Sequence, residues 1–222
     1  MIIYTIEAAQ KANITNNIWV CTDDEEIADI SSNSGAKIYR IPDDMARDDV
    51  SSTEPCLALL SHLKQEGEIV DYIFNLQPTS PLRTSEDIIL SLETIKNNKA
   101  DFLVSVTEID PHYFHWAMIE RENKWQMYFG NKYMKERIYL ERTYRPNGAI
   151  KLARTKQLIK KGNFFVNIGV TSARVKGLLY TSKSISTGLI NGGSKRAYNV
   201  RSVIKVTCIK TYMLITLIEW WR

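Results

Sequence analysis

The segment LQPTSPLR places an amide, hydroxyls and a guanidinium, Gln77, Thr79, Ser80 and Arg83, within eight residues. Arg83 offers a planar fork suited to carboxylate or phosphate, and Pro78 and Pro81 restrict the backbone that carries it. A plain surface turn accounts for the same residues equally well. His112 and His115 have the i, i+3 spacing that lets two imidazoles converge on one ion. No carboxylate or cysteine completes that set, and the flanking Tyr113, Phe114 and Trp116 favour packing histidines. The acidic runs at 23–26 and 43–49 fit helix N-terminal charge and a solvated loop more simply than metal sites. Residues 192–196, GGSKR, read as a solvated basic turn.

The elements that must position these groups follow from periodicity. Ile2, Ile3, Ile6 and Ala9 recur at helical spacing from the first residue, with neither a cap nor a strand ahead of them, so the chain reads as beginning inside a domain. Residues 18–22 read as a buried strand and DDEEIADISSNSG as a helix with an acidic first turn and Gly35 beyond its end. Residues 36–40 are a second strand, and SSTEPCLALLSHLKQ is a helix with a serine cap and an early Glu54. The continuous apolar stretch at 70–77 suits a central parallel strand. Thr84 or Ser85 opens the next helix, and residues 100–109 form the following strand. In such sheets ligands sit beyond the carboxyl ends of strands, which places a site at the loop after 70–77. From 110 to 145 the alternation gives way to an aromatic-rich segment, read as an inserted β-rich lobe and a partner surface. Residues 148–153 resume as a strand and RTKQLIKKG as a short helix with lysines in its last turn.

A chain of 222 residues with 44% hydrophobic content buries a full core, and one α/β domain with an insertion fits that length. Cys21, Cys56 and Cys208 fall in no CxxC or metal-ligand spacing, and an odd count without a visible signal peptide points to the cytoplasm. The apolar run at 212–221 is too short for a membrane span, which needs about 20 residues. The net charge of +4 conceals an asymmetry. Residues 1–150 carry 15 Lys and Arg against 24 Asp and Glu, whereas residues 151–222 carry 14 against 1. Such a basic tract marks a polyanion-binding tail or a segment foreign to the domain before it.

Taken together, LQPTSPLR, TDDEEIA (22–28), SVTE (105–108) and YRPNGAI (144–150) resemble the acylneuraminate cytidylyltransferase family over roughly residues 1–165. The resemblance implies a Rossmann-like nucleotide-diphospho-sugar transferase fold, an α/β three-layer sandwich with an inserted β-rich dimerisation lobe at about 110–145. It implies transfer of CMP from CTP to a nonulosonic, sialic-type acid with release of pyrophosphate, Mg²⁺ as cofactor, and a homodimer without nucleic-acid or membrane partners. By the same resemblance Gln77 and Arg83 line the site, Arg137 holds the sugar acid, Asn147 and Gly148 form the turn beside the sugar, and Ser51 and Ser52 serve the nucleotide. The family's glutamine after the arginine is Ile138 here.

Two family features are not found. The glycine-rich strand and loop resembling IPARGGSKGIPRKN would precede residue 1, and no aspartate follows Asp110 to supply an Asp-x-Asp metal pair. The expectation is therefore an impaired enzyme with no assignable catalytic or metal residue, and with neighbouring strand edges left unpaired for want of the central first strand. Residues 166–222 are set apart as a basic segment, best accounted for by a frameshift or fusion, with a permuted glycine loop at 192–196 as the minor alternative. The competing function is a non-catalytic remnant or polyanion binder using that basic third.

Overall fold

The computed structural model describes residues 1–130, 136–165, 170–174 and 213–218. Helix α1 (Ile2–Ala12) leads to strand β1 (Asn17–Thr22), helix α2 (Glu25–Asn33) and strand β2 (Lys37–Arg40). Helix α3 (Glu54–Gln65), strand β3 (Tyr72–Leu76), helix α4 (Ser85–Asn97) and strand β4 (Phe102–Ile109) follow. After the lobe come strand β7 (Thr143–Arg154), helix α6 (Thr155–Lys161), strand β8 (Val170–Arg174) and strand β9 (Met213–Ile218). The lobe itself holds a short helix, α5 (Pro111–His115), one hairpin of β5 (Met118–Arg121) and β6 (Lys124–Met127), and a 3-10 turn at Arg137–Tyr139.

Local chemistry sets the helix ends. Asp24 caps α2 by accepting from the Ile27 amide, and Thr84 and Asp87 form a reciprocal capping box at α4. The serine cap expected on α3 is not made: Thr53 occupies the cap position without a side-chain hydrogen bond, and Ser51 and Ser52 turn to other partners.

Seven strands form one sheet in the order β2-β1-β9-β3-β7-β4-β8. β1 pairs parallel to β2 and β4 parallel to β8, whereas β7 and β9 run antiparallel to both of their neighbours. β3 is therefore central, as its apolar run predicts, but both strands beside it are antiparallel. The expected unpaired edges do not occur either, because β9 fills the slot between β1 and β3, with Met213 opposite Cys21 and Leu214 opposite Leu76. The backbone of the last described segment thereby completes the ladder that an open slot would leave unsatisfied.

Two apolar layers flank the sheet. α1 and α4 pack on one face against Ile18, Val20, Tyr72, Phe74, Leu103, Ile150 and Leu152. α3 and α6 cover the other against Trp19, Cys21, Ile73, Phe102, Ala153 and Ile215. Period-2 alternation along β3 and β7 thus sends Asn75 and Lys151 to the α3 side.

Candidate active site

The loop after β3 is built on its own backbone. The Ser80 amide donates to the Gln77 carbonyl and the Arg83 amide to the Ser80 carbonyl, at 3.2 Å each. The Arg83 side chain folds back beneath the loop, and its Nη1 donates to the carbonyls of Gln77 at 3.1 Å and Ala149 at 2.7 Å. Arg83 is buried, and its Nε and Nη2 have no hydrogen-bond partner. Burial lowers its pKa to about 10, opposed by nearby Asp87, so the guanidinium stays charged at neutral pH. The residue expected to line the site therefore works as a clamp that ties the loop to β7.

Opposite the loop, β7 bulges. Its register on β4 passes from Val106 opposite Pro146 to Val104 opposite Lys151, leaving Asn147, Gly148, Ala149 and Ile150 against Ser105. Ser105 holds that bulge by donating to Asn147 Oδ1 and accepting from the Ile150 amide at 2.8 Å. Asn147 Oδ1 also accepts from the Ala149 amide at 3.1 Å. Bulges re-aim side chains beside functional sites, and this one turns Gly148 toward Gln77. Gly148 has φ +74°, and a Cβ there would lie 2.1 Å from Gln77 Oε1. Glycine is required on both counts.

A third cluster joins from α3. The Ser52 carbonyl accepts from Asn75 Nδ2 at 3.1 Å, and the Ser52 hydroxyl accepts from Lys151 Nζ at 2.7 Å. Ser51 accepts from the Thr53 amide at 3.2 Å. Asn75 Oδ1 and the whole of Asn75 are buried, with no partner on that oxygen. Lys151 is also buried, its Nζ 5.5 Å from the centre of the Phe165 ring, and burial lowers its pKa against the opposing influence of Cys56. Burial likewise pushes the Cys56 thiol up to about 12, with Lys151 pulling it back, so neither it nor the buried Cys21 is a ready thiolate.

The structure thus brings Gln77, Arg83, Asn147, Gly148 and Ser52 to one rim, at the carboxyl ends of β3 and β4, with Ser51 adjoining. Arg137 lies in the 3-10 turn, and its side chain is outside the described residues, as are residues 192–196. Ile138, at the place of the family's glutamine, is exposed. Sequence reasoning missed Asn75 and Lys151, although a polar residue within each of the apolar runs YIFNL and GAIKLA was the available signal. Among the described residues no three His, Cys, Asp or Glu side chains group to hold a metal, the His112 and His115 pair included.

The family model for cytidylyltransferases matches residues 1–167. The chain belongs to the cytidylyltransferase family. Three relatives agree with the resemblance read from its motifs. The N-acylneuraminate cytidylyltransferase A of Danio rerio is 26% identical over 201 residues, 90% of this chain but 40% of that protein. A pseudaminic acid cytidylyltransferase of Campylobacter jejuni is 28% identical, over 74% of this chain and 72% of that one. The CMP-N,N'-diacetyllegionaminic acid synthase of Legionella pneumophila is 28% identical, over 74% and 71%. Among solved structures, a CMP:2-keto-3-deoxy-manno-octonic acid synthetase complexed with CTP superposes with a TM-score of 0.55 at 13% identity, covering 79% of this chain and 80% of that one. That likeness shows the nucleotidyltransferase fold. Of the motifs that carry the resemblance, LQPTSPLR leaves the end of β3, TDDEEIA leaves the end of β1, SVTE lies within β4 and YRPNGAI within β7.

Proposed function

We propose that this chain binds CTP and a nonulosonic acid at the rim of β3, β4 and β7, for transfer of CMP to the sugar. The observation that carries the reading is the seating of Gln77 against Gly148, which joins the loop read as lining the site and the turn read as lying beside the sugar into one wall. Ser51 and Ser52 stand on the α3 side as the nucleotide wall. In the reaction the C2 hydroxyl oxygen of the sugar acid bonds to the α-phosphorus of CTP, the bond to the bridging oxygen of pyrophosphate breaks, and the hydroxyl proton is released. Such chemistry is chiefly positioning and charge stabilisation. Arg83 and Asn147 position: one anchors the loop to β7 and the other fixes the bulge. The resemblance also implies Mg²⁺, yet the described rim offers amides, hydroxyls and cations rather than the carboxylates a hard ion takes, so the residues described there do not fit the ion.

The test is calorimetric titration of the chain with CTP and with a panel of sialic, pseudaminic and legionaminic acids, followed by pyrophosphate release with the Campylobacter jejuni relative in parallel. Binding of CTP together with one of the acids is expected, and binding of neither defeats the reading. The turnover comparison also tests the weak activity expected from sequence. A filter-binding assay with RNA at two salt concentrations tests the polyanion alternative.

We further infer a homodimer joined through the lobe. Tyr113 is 83% exposed and Trp125 65%, with Tyr128, Ile138 and Tyr139 also open, a concentration of apolar surface that a lone monomer rarely shows. By the resemblance Arg137 serves the partner's site, and Arg137→Ala is expected to weaken sugar-acid binding more than CTP binding. The setting is read as cytosolic, and cell fractionation tests it.

A further inference from the structure

Lys151 is the one residue of β7 between Ala149 and Ala153 that is not apolar, and it sits beneath α3 with almost no exposure, 7%. A buried ammonium is ordinarily paired with a carboxylate, because its desolvation otherwise goes uncompensated. Lys151 has no such partner among the described residues. Its contacts there are the Ser52 hydroxyl, the Phe165 ring and the nearby Cys56 thiol, which is neutral. An ammonium has three donors, and one is accounted for by Ser52. Its register partner on β3 is Asn75, whose buried Oδ1 is without a partner among the described residues although its amide nitrogen holds Ser52. Two buried polar groups are thus incompletely satisfied side by side, both anchored to the serine assigned to the nucleotide, and both within one residue of the rim end of β3.

A structural lysine would not need that arrangement. Holding Ser52 requires one neutral donor, which Asn75 already supplies to the Ser52 carbonyl. The positive charge is what remains unexplained, and an anionic ligand at the rim is what would compensate it.

We propose that Lys151 is a substrate-binding cation of this site, donating from Nζ to an anionic phosphate oxygen of the bound nucleotide while Ser52 holds it in place. The assignment rests on the proposed function and deepens it, since no family motif or serine assignment includes Lys151. The ammonium must be charged to serve. Its pKa lies below the ordinary lysine value because of burial, so nucleotide affinity declines as pH rises toward that value. The groups around it from α3, β3 and β7 are Cys56, Ser52 and Asn75, and from beyond α6 Phe165, none of which takes up a proton in that range.

The experiment is calorimetric binding of CTP, CMP, cytidine and a nonulosonic acid to the full chain and to Lys151→Met and Lys151→Arg. In Lys151→Met, CTP and CMP bind about ten- to a hundredfold more weakly, while cytidine and the sugar acid are unchanged. Lys151→Arg retains CTP binding but loses its decline at alkaline pH, which a merely structural lysine would not produce. If the sugar acid weakens instead, the anion is its carboxylate and the assignment to the nucleotide is overturned. Equal CTP binding by all three proteins, or a wild-type affinity with no alkaline decline, also overturns it. Absence of CTP binding by the wild-type chain would instead sink the proposed function, and this inference with it. Should Lys151→Met fail to fold, the alkaline decline in the wild type against its absence in Lys151→Arg decides the matter.

Discussion

Replacing Gly148 by alanine tests the geometry of the rim most directly. Two separate costs are visible. The residue has φ +74°, a left-handed conformation that costs a side-chain-bearing residue about 1–2 kcal/mol. The new methyl would also fall 2.1 Å from Gln77 Oε1, which forces that side chain to move, and an off-rotamer torsion costs about 0.5–1.5 kcal/mol. Together they predict a loss of about 1.5–3.5 kcal/mol in urea unfolding. Gly162 separates the two, because it has φ +66° with nothing within 4 Å of an added Cβ. Gly162→Ala should therefore cost only the conformational part, about 1–2 kcal/mol, and leave ligand binding untouched. In Gly148→Ala the displaced Gln77 amide loses its place toward the sugar acid, and titration should show affinity reduced roughly five- to tenfold. Placing each change on a Gln77→Ala background removes the collision, so the excess cost of Gly148→Ala over Gly162→Ala should vanish there. The reasoning is refuted if that excess persists without Gln77, or if Gly148→Ala binds the sugar acid as tightly as Gly162→Ala.

Ser105→Ala removes the hydroxyl that serves both Asn147 and the Ile150 amide, leaving a buried N–H unpaired; unfolding should show a loss of about 1–3 kcal/mol. Lys151→Met should alter the pH dependence of stability in a defined direction. Burial depresses the folded pKa below 10.5, so the wild type gains stability as pH rises from the folded value to the unfolded one, and the Met variant lacks that gain; thermal melts across neutral to alkaline pH measure it. Trp125→Glu places a charge on the 65% exposed indole position of the lobe, and sedimentation should show monomer in place of dimer with the far-UV spectrum intact.

The helices and most strands were legible because each signal was local. Asp24 and Thr84 cap as their types dictate, and Gly35 and Gly162 take the positive φ expected of a residue beyond a helix end. The site was legible only in part, and the reason lies in what a linear motif contains. LQPTSPLR announces an arginine, but whether its fork faces a ligand or its own backbone depends on where Ala149 lies, a fact of the β7 register. NGA announces a turn, but Ser105 on another strand decides that it is a bulge. Lys151 is one polar residue within an apolar strand run, and only the second apolar layer decides that it is covered. Strand direction was the least legible property. An apolar run of six residues carries no polarity in its composition, and β7 and β9 have the same apolar character as the parallel strands they join.

The direction of β9 bears on the site as well as on the sheet. Parallel strands deliver their carboxyl ends to the rim, and the loops leaving them bind ligands there. β9 runs the other way, so its amino end stands at the rim, with Met213 opposite Cys21 and Leu214 opposite Leu76. The slot's demand for backbone partners is met equally well by either direction, since each supplies a full ladder to both neighbours. What differs is the end of the strand delivered to the rim: β9 brings its amino end there, beside the carboxyl ends of β1 and β3. Backbone pairing by β9 and ligand contact by the rim residues are therefore separable properties of this fold. Changes at Ile215, buried in the α3 layer, should act on the first, while changes at Ser52, Gln77 and Lys151 act on ligand binding.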